Sequence, residues 1–193
     1  SLLSSIPNMR IYHPYNYIEV KQILKHCINL EKNNCAIRLS IGPPPLNPIN
    51  LPKNYKFIPG EGSILIDGFD GIIFSYGQTM VNQAFKACKI LKKENINLKL
   101  INMPCINNFS LNWFKKNISK TKNIFFLEDH NVNGGISDLI TSFITNNKIL
   151  NNAVFTKFGP NEFPACGTPG EVLKYHKLDE KSLSLKIKKE ILI

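Results

Sequence analysis

The sequence has 193 residues, 43% hydrophobic and 20% charged, with ordinary glycine and proline usage; this suits one full domain plus part of another and excludes collagen-like, low-complexity and disordered chains. No apolar run approaches the roughly 18–20 residues that cross a bilayer, and Ser1–Ile6 is too short and uncharged for a signal peptide, so a soluble protein with no membrane partner is expected. The net charge of +10 rests on 22 lysines spread along the chain and only two arginines, Arg10 and Arg38, beside 24 asparagines; nucleic-acid readers cluster arginine for bidentate contacts, so no nucleic-acid partner is expected.

Five cysteines, at 27, 35, 88, 105 and 166, form no CxxC pair and are odd in number, which predicts reduced thiols and a cytoplasmic location. Four histidines, at 13, 26, 130 and 176, stand at no metal-ligand spacing, which predicts no metal site.

In chain order, the stretch from Leu2 to Pro7 reads as the end of a helix, and with no initiating Met it suggests a piece of a longer polypeptide. Met9 to His13 reads as a short strand stopped by Pro14. Tyr15 to Leu30 reads as a helix with Ile18, Ile23, Leu24, Cys27 and Ile28 on one face, and Cys35 to Ile41 as an apolar strand. Strand, helix, strand predicts a parallel crossover. Residues 42–60, with six prolines, read as an extended linker.

Gly62 to Gly68 and Gly71 to Gly77 then read as two strands of a hairpin around Phe69-Asp70, the second of them apolar enough to be central. Helices at about 80–94, 110–119 and 135–147 alternate with strands at 97–103, 124–127 and 153–155, and helices Thr168–Tyr175 and Glu180–Leu192 close the chain. The fold class is therefore α/β: an open, mostly parallel sheet with helices on both faces, preceded by a partial α/β domain.

The densest polar cluster is Glu128-Asp129-His130-Asn131 with Gly134-Gly135, at the carboxyl end of a buried strand and the start of a helix. Open α/β sheets present functional groups at that edge, and a helix N-terminus attracts anions. His130 would then be an acid/base or substrate contact oriented by Glu128, with the glycines as a close-approach turn. The alternative is structural: caps, turn formers and a satisfied carboxylate. Arg38, in a strand that reads as buried, needs a carboxylate, phosphate or backbone partner, so both an ion pair and a ligand clamp stay open. Thr168 and Pro169 read as the cap and first residue of a helix. Cys166 reads as inert, since the sequence places no histidine to activate it. Walker A, GxGxxG, HExxH and GxSxG motifs are absent.

Several ordered blocks resemble the C-terminal part of the transketolase family of thiamine-diphosphate enzymes. They are Ser5-Ile6-Pro7-Asn8-Met9 with Pro14 and Glu19, the strand Cys35 to Leu39, Gly60-Glu61-Gly62 to Asp70, Ile101-Asn102-Met103-Pro104, Glu128-Asp129-His130 with Gly134-Gly135, and Phe158-Gly159 to Thr168 with Leu173. Asn16 stands where that family usually has aspartate.

The resemblance implies residues 1–41 as the end of a pyrimidine-binding domain, 42–60 as a linker and 61–193 as the family's C-terminal domain. It implies a homodimer, a small sugar substrate, and thiamine diphosphate with magnesium bound by the full-length enzyme through N-terminal domains or a separate subunit. The cofactor-binding GDG-type motif and the activating glutamate belong to those other segments, so the resemblance implies no catalytic or cofactor-binding residue in this chain. Arg38, Glu128, His130 and Gly134 remain the substrate or interface candidates. The arginine with which the family grips a substrate phosphate corresponds to Ile41, and Arg38 is offset from it. Alternative readings are the C-terminal part of a 2-oxo-acid dehydrogenase β subunit and a free-standing, non-catalytic interaction module.

Overall fold

The computed structural model describes residues 2–41, 49–118 and 121–191. A single 3-10 turn at Leu2–Ser5, shorter than the predicted helix end, leads into β1 (Met9–Tyr12), α1 (Tyr17–Asn29) and β2 (Asn34–Ile37). The two strands pair in parallel, Met9 opposite Asn34 and Tyr12 opposite Ile37, so α1 is the predicted crossover. Asn16 starts it by accepting from the N–H groups of Ile18 and Glu19 at 3.0 and 3.1 Å, which satisfies amides that have no carbonyl in their own helix. Of the predicted face Ile23 is buried, whereas Leu24 and Ile28 are 44% and 77% exposed.

The second edge of β1 is bonded to a distant segment. The N–H of His13 donates to the Pro104 carbonyl, and that of Ile106 to the Ile11 carbonyl, both at 2.9 Å. Asn107 continues the row with its amide, accepting from the Ile11 N–H at 3.1 Å and donating to the Met9 carbonyl at 2.8 Å. β2 has β1 as its one neighbouring strand among the described residues. Of the expected linker, 42–48 lie outside the described residues, and residues 49–60 pack along α1. Ile49 and Leu51 are buried with Tyr15 and Val81, while the Gln22 amide bonds the backbones of Tyr55 and Phe57 at 3.3 and 2.7 Å.

Next come β3 (Ser63–Ile66), β4 (Gly71–Ser75), α2 (Gln78–Lys93), β5 (Leu98–Asn102), α3 (Leu111–Asn117), β6 (Asn123–Leu127), α4 (Ile136–Asn146), β7 (Val154–Phe158), α5 (Pro169–Tyr175) and α6 (Glu180–Ile191). The sheet order is β3-β5-β4-β6-β7, and only β3 runs antiparallel. The predicted hairpin of β3 with β4 is therefore wrong. Both edges of β4 are taken by its parallel neighbours β5 and β6, so β3 pairs with β5 at the sheet margin. The turn at Phe69-Asp70 is instead anchored to Asn97, whose N–H reaches the Asp70 carboxylate at 2.6 Å.

Strand alternation sorts the core into two layers. Ile73, Leu100, Phe125 and Leu127 face α2 and α6, packing on Ala84, Leu91, Leu183 and Ile187. Ile72, Phe74, Ile101, Ile124 and Phe126 face α3 and α4, packing on Phe114, Ile140 and Ile144. Helices thus cover both faces, as the buried parallel strands require. At α5 Thr168 is the cap and Pro169 the first helical residue, as the sequence predicts, and the Thr168 and Glu171 side chains form a reciprocal capping box.

Candidate functional site

The parallel strands of both sheets end at one edge, where open α/β sheets carry their sites. His13 follows β1, Arg38 follows β2, Tyr76 follows β4 and Glu128 follows β6. A cavity of about 280 Å³ lies between them, lined by His13, Arg38, Tyr76, His130, Gly134 and Gly135, with apolar walls that include Leu3, Ile11, Ile136 and Leu139.

Glu128 is fully buried beneath this cavity. Its carboxylate accepts from the Tyr76 hydroxyl at 2.5 Å and from the Ser137 N–H, in the first turn of α4, at 2.7 Å. A Cβ on Gly135 would stand 2.5 Å from that carboxylate, so the helix start can descend onto Glu128 only with glycine there. Both carboxylate oxygens are engaged, and the expectation that Glu128 orients His130 fails. His130 instead faces the Asn131 carbonyl with Nδ1 at 2.9 Å. Gly134 is exposed, and its N–H donates to Asp138 at 2.7 Å. The amide end of α4 is therefore answered by two of the chain's own carboxylates, Glu128 and Asp138, rather than left for an external anion.

Arg38 is just past β2, not in a buried strand, and its side chain is 53% exposed. β2 is short and has one neighbouring strand among the described residues, so it does not enclose the side chain. The guanidinium grips Asp129, donating to its carbonyl at 2.6 Å and pairing with its carboxylate at 3.3 Å, so the ion pair that the sequence left open is present. Burial raises the pKa of Asp129, and the Arg38 charge opposes that shift.

Sequence reasoning missed His13. It is 1% exposed, with Nε2 3.4 Å from the Ser40 hydroxyl and 3.8 Å from the Asp129 carboxylate. Its ring fits against Gly77, where φ is 69° and a Cβ would stand 2.6 Å from the imidazole. Burial, with the Arg38 charge second, lowers its pKa from 6.5 to about 4, so it is neutral at pH 7. Tyr76, whose ring meets His13 edge-on at 5.4 Å, was missed too. The available signal was positional: a polar residue directly after each of β1, β2, β4 and β6.

A second polar cluster ties α1 to the large sheet. Glu19, fully buried, accepts from the Tyr15 N–H at 2.7 Å, the Tyr55 hydroxyl at 2.9 Å and the Asn102 amide at 2.7 Å. Burial still dominates, raising its pKa from 4.5 to about 7. Ile41 is fully exposed and Cys166 is exposed. Among the described residues no three His, Cys, Asp or Glu side chains are placed to hold a metal ion together. They do not form the oxygen cage that magnesium takes. Among the same residues no helix is long and apolar enough to cross a membrane.

The family model for the transketolase C-terminal domain matches residues 60–183. The chain belongs to that family. A putative transketolase C-terminal section from Methanocaldococcus jannaschii is 28% identical over 193 residues, covering 99% of this chain and 58% of the relative. A 1-deoxy-D-xylulose-5-phosphate synthase from Halothermothrix orenii is 28% identical over 184 residues, covering 95% of this chain and 28% of the relative. Among solved structures, a split-gene transketolase described as an inactive beta4 tetramer superposes with a TM-score of 0.85 at 22% identity, over 99% of this chain and 60% of that one. The chain thus spans little more than half of the archaeal relative and under a third of the synthase. The α/β transketolase C-terminal fold and the family resemblance read from the sequence both hold.

Proposed function

We propose that this chain is the C-terminal portion of a transketolase-like enzyme that moves a two-carbon ketol unit between sugars. An N-terminal portion, as preceding domains or a separate subunit, holds thiamine diphosphate and magnesium. The observation that carries the proposal is the contrast between the family domain, matched over residues 60–183, and the two-stranded unit before it. In that unit β2 has one neighbouring strand among the described residues and α1 exposes Leu24 and Ile28, a surface that further strands and helices of an α/β domain would cover. The domain limits 1–41, 42–60 and 61–193 are part of the same proposal, as is pairing of two copies into a dimer.

In this scheme Glu128, Tyr76 and Gly135 fix the start of α4, and Arg38, His130 and Gly134 border the approach to the active site. Arg38 already holds Asp129, and no charged residue occurs from Leu39 to Pro52. The proposed substrate is therefore a sugar not gripped through a phosphate at Ile41.

The test is to mix the purified chain with the N-terminal portion, thiamine diphosphate and magnesium, and to assay ketol transfer. Turnover in the mixture and none from this chain alone is the expected result, with phosphorylated donors gaining less than tenfold in kcat/KM over unphosphorylated ones. Turnover by this chain alone would refute the division of labour. Failure of the two portions to associate would favour an independent module.

A further inference from the structure

The cavity at the carboxyl edge is walled from both sheets: Ile11, His13 and Arg38 come from the small unit, and Tyr76, Ile136 and Leu139 from the large sheet and α4. Its volume is about 280 Å³. A cavity of about 150 Å³ holds one benzene, so this one takes an organic molecule of about ten heavy atoms. The charged groups around it are already paired, Arg38 with Asp129 and the start of α4 with Glu128 and Asp138. One polar atom of a lining residue is not. His13 is 1% exposed, and its Nδ1 is buried with no hydrogen-bond partner among the described residues.

The other ring nitrogen decides what Nδ1 offers. Nε2 is 3.4 Å from the Ser40 hydroxyl and 3.8 Å from the Asp129 carboxylate. A carboxylate accepts, so the single proton of the neutral ring is assigned to Nε2. Nδ1 is then a bare acceptor that lacks a donor.

We infer that this cavity binds a small uncharged molecule with one hydroxyl, its apolar body against Ile11, Ile136 and Leu139 and its O–H donating to His13 Nδ1. A buried acceptor without a partner is costly, and a ligand that supplies the donor recovers that cost. Apolar walls with one placed polar group are the common form of a small-molecule pocket. A sugar suits these walls poorly, because most of its hydroxyls would leave water without gaining a partner. The ligand is therefore not the sugar of the proposed reaction. Since the walls belong to both sheets, the bound molecule would tie the small unit to the large sheet and stabilise the folded chain by mass action.

The experiment titrates the purified chain by calorimetry with para-propylphenol, with propylbenzene, which lacks the hydroxyl, and with para-propylbenzoate, which carries a charge. The phenol should bind at one site, at least tenfold tighter than either comparator, and should slow hydrogen exchange in β1 and the first turn of α4. Leu139→Trp, which fills the cavity from its apolar wall, should abolish binding. Four results would overturn the inference: no saturable binding of the phenol, equal affinity for propylbenzene, tighter binding of the benzoate, or binding unchanged in Leu139→Trp. The comparison of the three compounds on the wild-type chain decides the matter even if the variant fails to fold. It stands apart from the ketol-transfer assay, whose failure would leave it intact.

Discussion

The two sheets of this molecule are built from the same strand-helix-strand unit and end in different states. In the large sheet β4 has a strand on each side and helices on both faces, and all five of its residues are buried. In the small one, β2 has a single neighbour among the described residues and α1 buries two side chains, one of them a glutamate. The small sheet is held by polar and backbone links to the large one: the β1 bonds to Pro104, Ile106 and Asn107, the Glu19 cluster, and Arg38 on Asp129. Among the described residues this unit is anchored by directional bonds on one side and exposes the apolar Leu24 and Ile28 on the other.

That difference can be broken from either end. The largest effect is expected from Glu128→Ala, which leaves the Tyr76 hydroxyl and the Ser137 N–H buried and unpaired. Each orphaned donor costs about 1–3 kcal/mol, so a loss of about 2–5 kcal/mol in urea unfolding at pH 7 is expected.

Next is the pH dependence of Glu19. Its folded pKa lies above its unfolded one, so the folded state binds more protons between them and stability falls as pH rises from 4.5 to about 7. The interval corresponds to about 3 kcal/mol, and Glu19→Gln should remove that slope. His13 works in the opposite sense: with its pKa lowered from 6.5 to about 4, it adds stability that is present above 6.5 and lost as pH falls toward 4. Urea titrations at several pH values of wild type and Glu19→Gln separate the two.

Thr168→Ala removes the capping box of α5, a helix with no buried residue. About 1 kcal/mol is expected, seen as faster hydrogen exchange confined to that helix. The smallest stability effect is on the open face. Ile28→Ser should change unfolding of the isolated chain by less than about 0.5 kcal/mol. It should nevertheless weaken binding to the N-terminal portion roughly tenfold, because burying one such side chain is worth about 1.5–3 kcal/mol.

The large sheet was legible because buried parallel strands are continuous apolar runs, such as Ile72-Ile73-Phe74 and Ile124-Phe125-Phe126-Leu127, and the helices between them keep a 3.6-residue period. The hairpin error arose because Phe69-Asp70 has local turn chemistry, whereas strand order is set by non-local competition for the edges of β4. Glu128 stood out as a carboxylate at a strand end, but its partner Tyr76 is 52 positions away. No spacing rule links the two, so orienting His130 was the nearer assignment. Arg38 read as buried because its neighbours Ile37 and Leu39 are apolar, yet Leu39 is itself exposed. A two-stranded sheet leaves apolar residues in solvent, and composition alone cannot separate that from a core.

The most direct test is amide hydrogen exchange of this chain alone and mixed with the N-terminal portion. The account predicts at least tenfold slower exchange in β2 and α1 on mixing, with the strands of the large sheet unchanged. Equal exchange in β2 and α1 before and after mixing, in a mixture shown to associate, would contradict it.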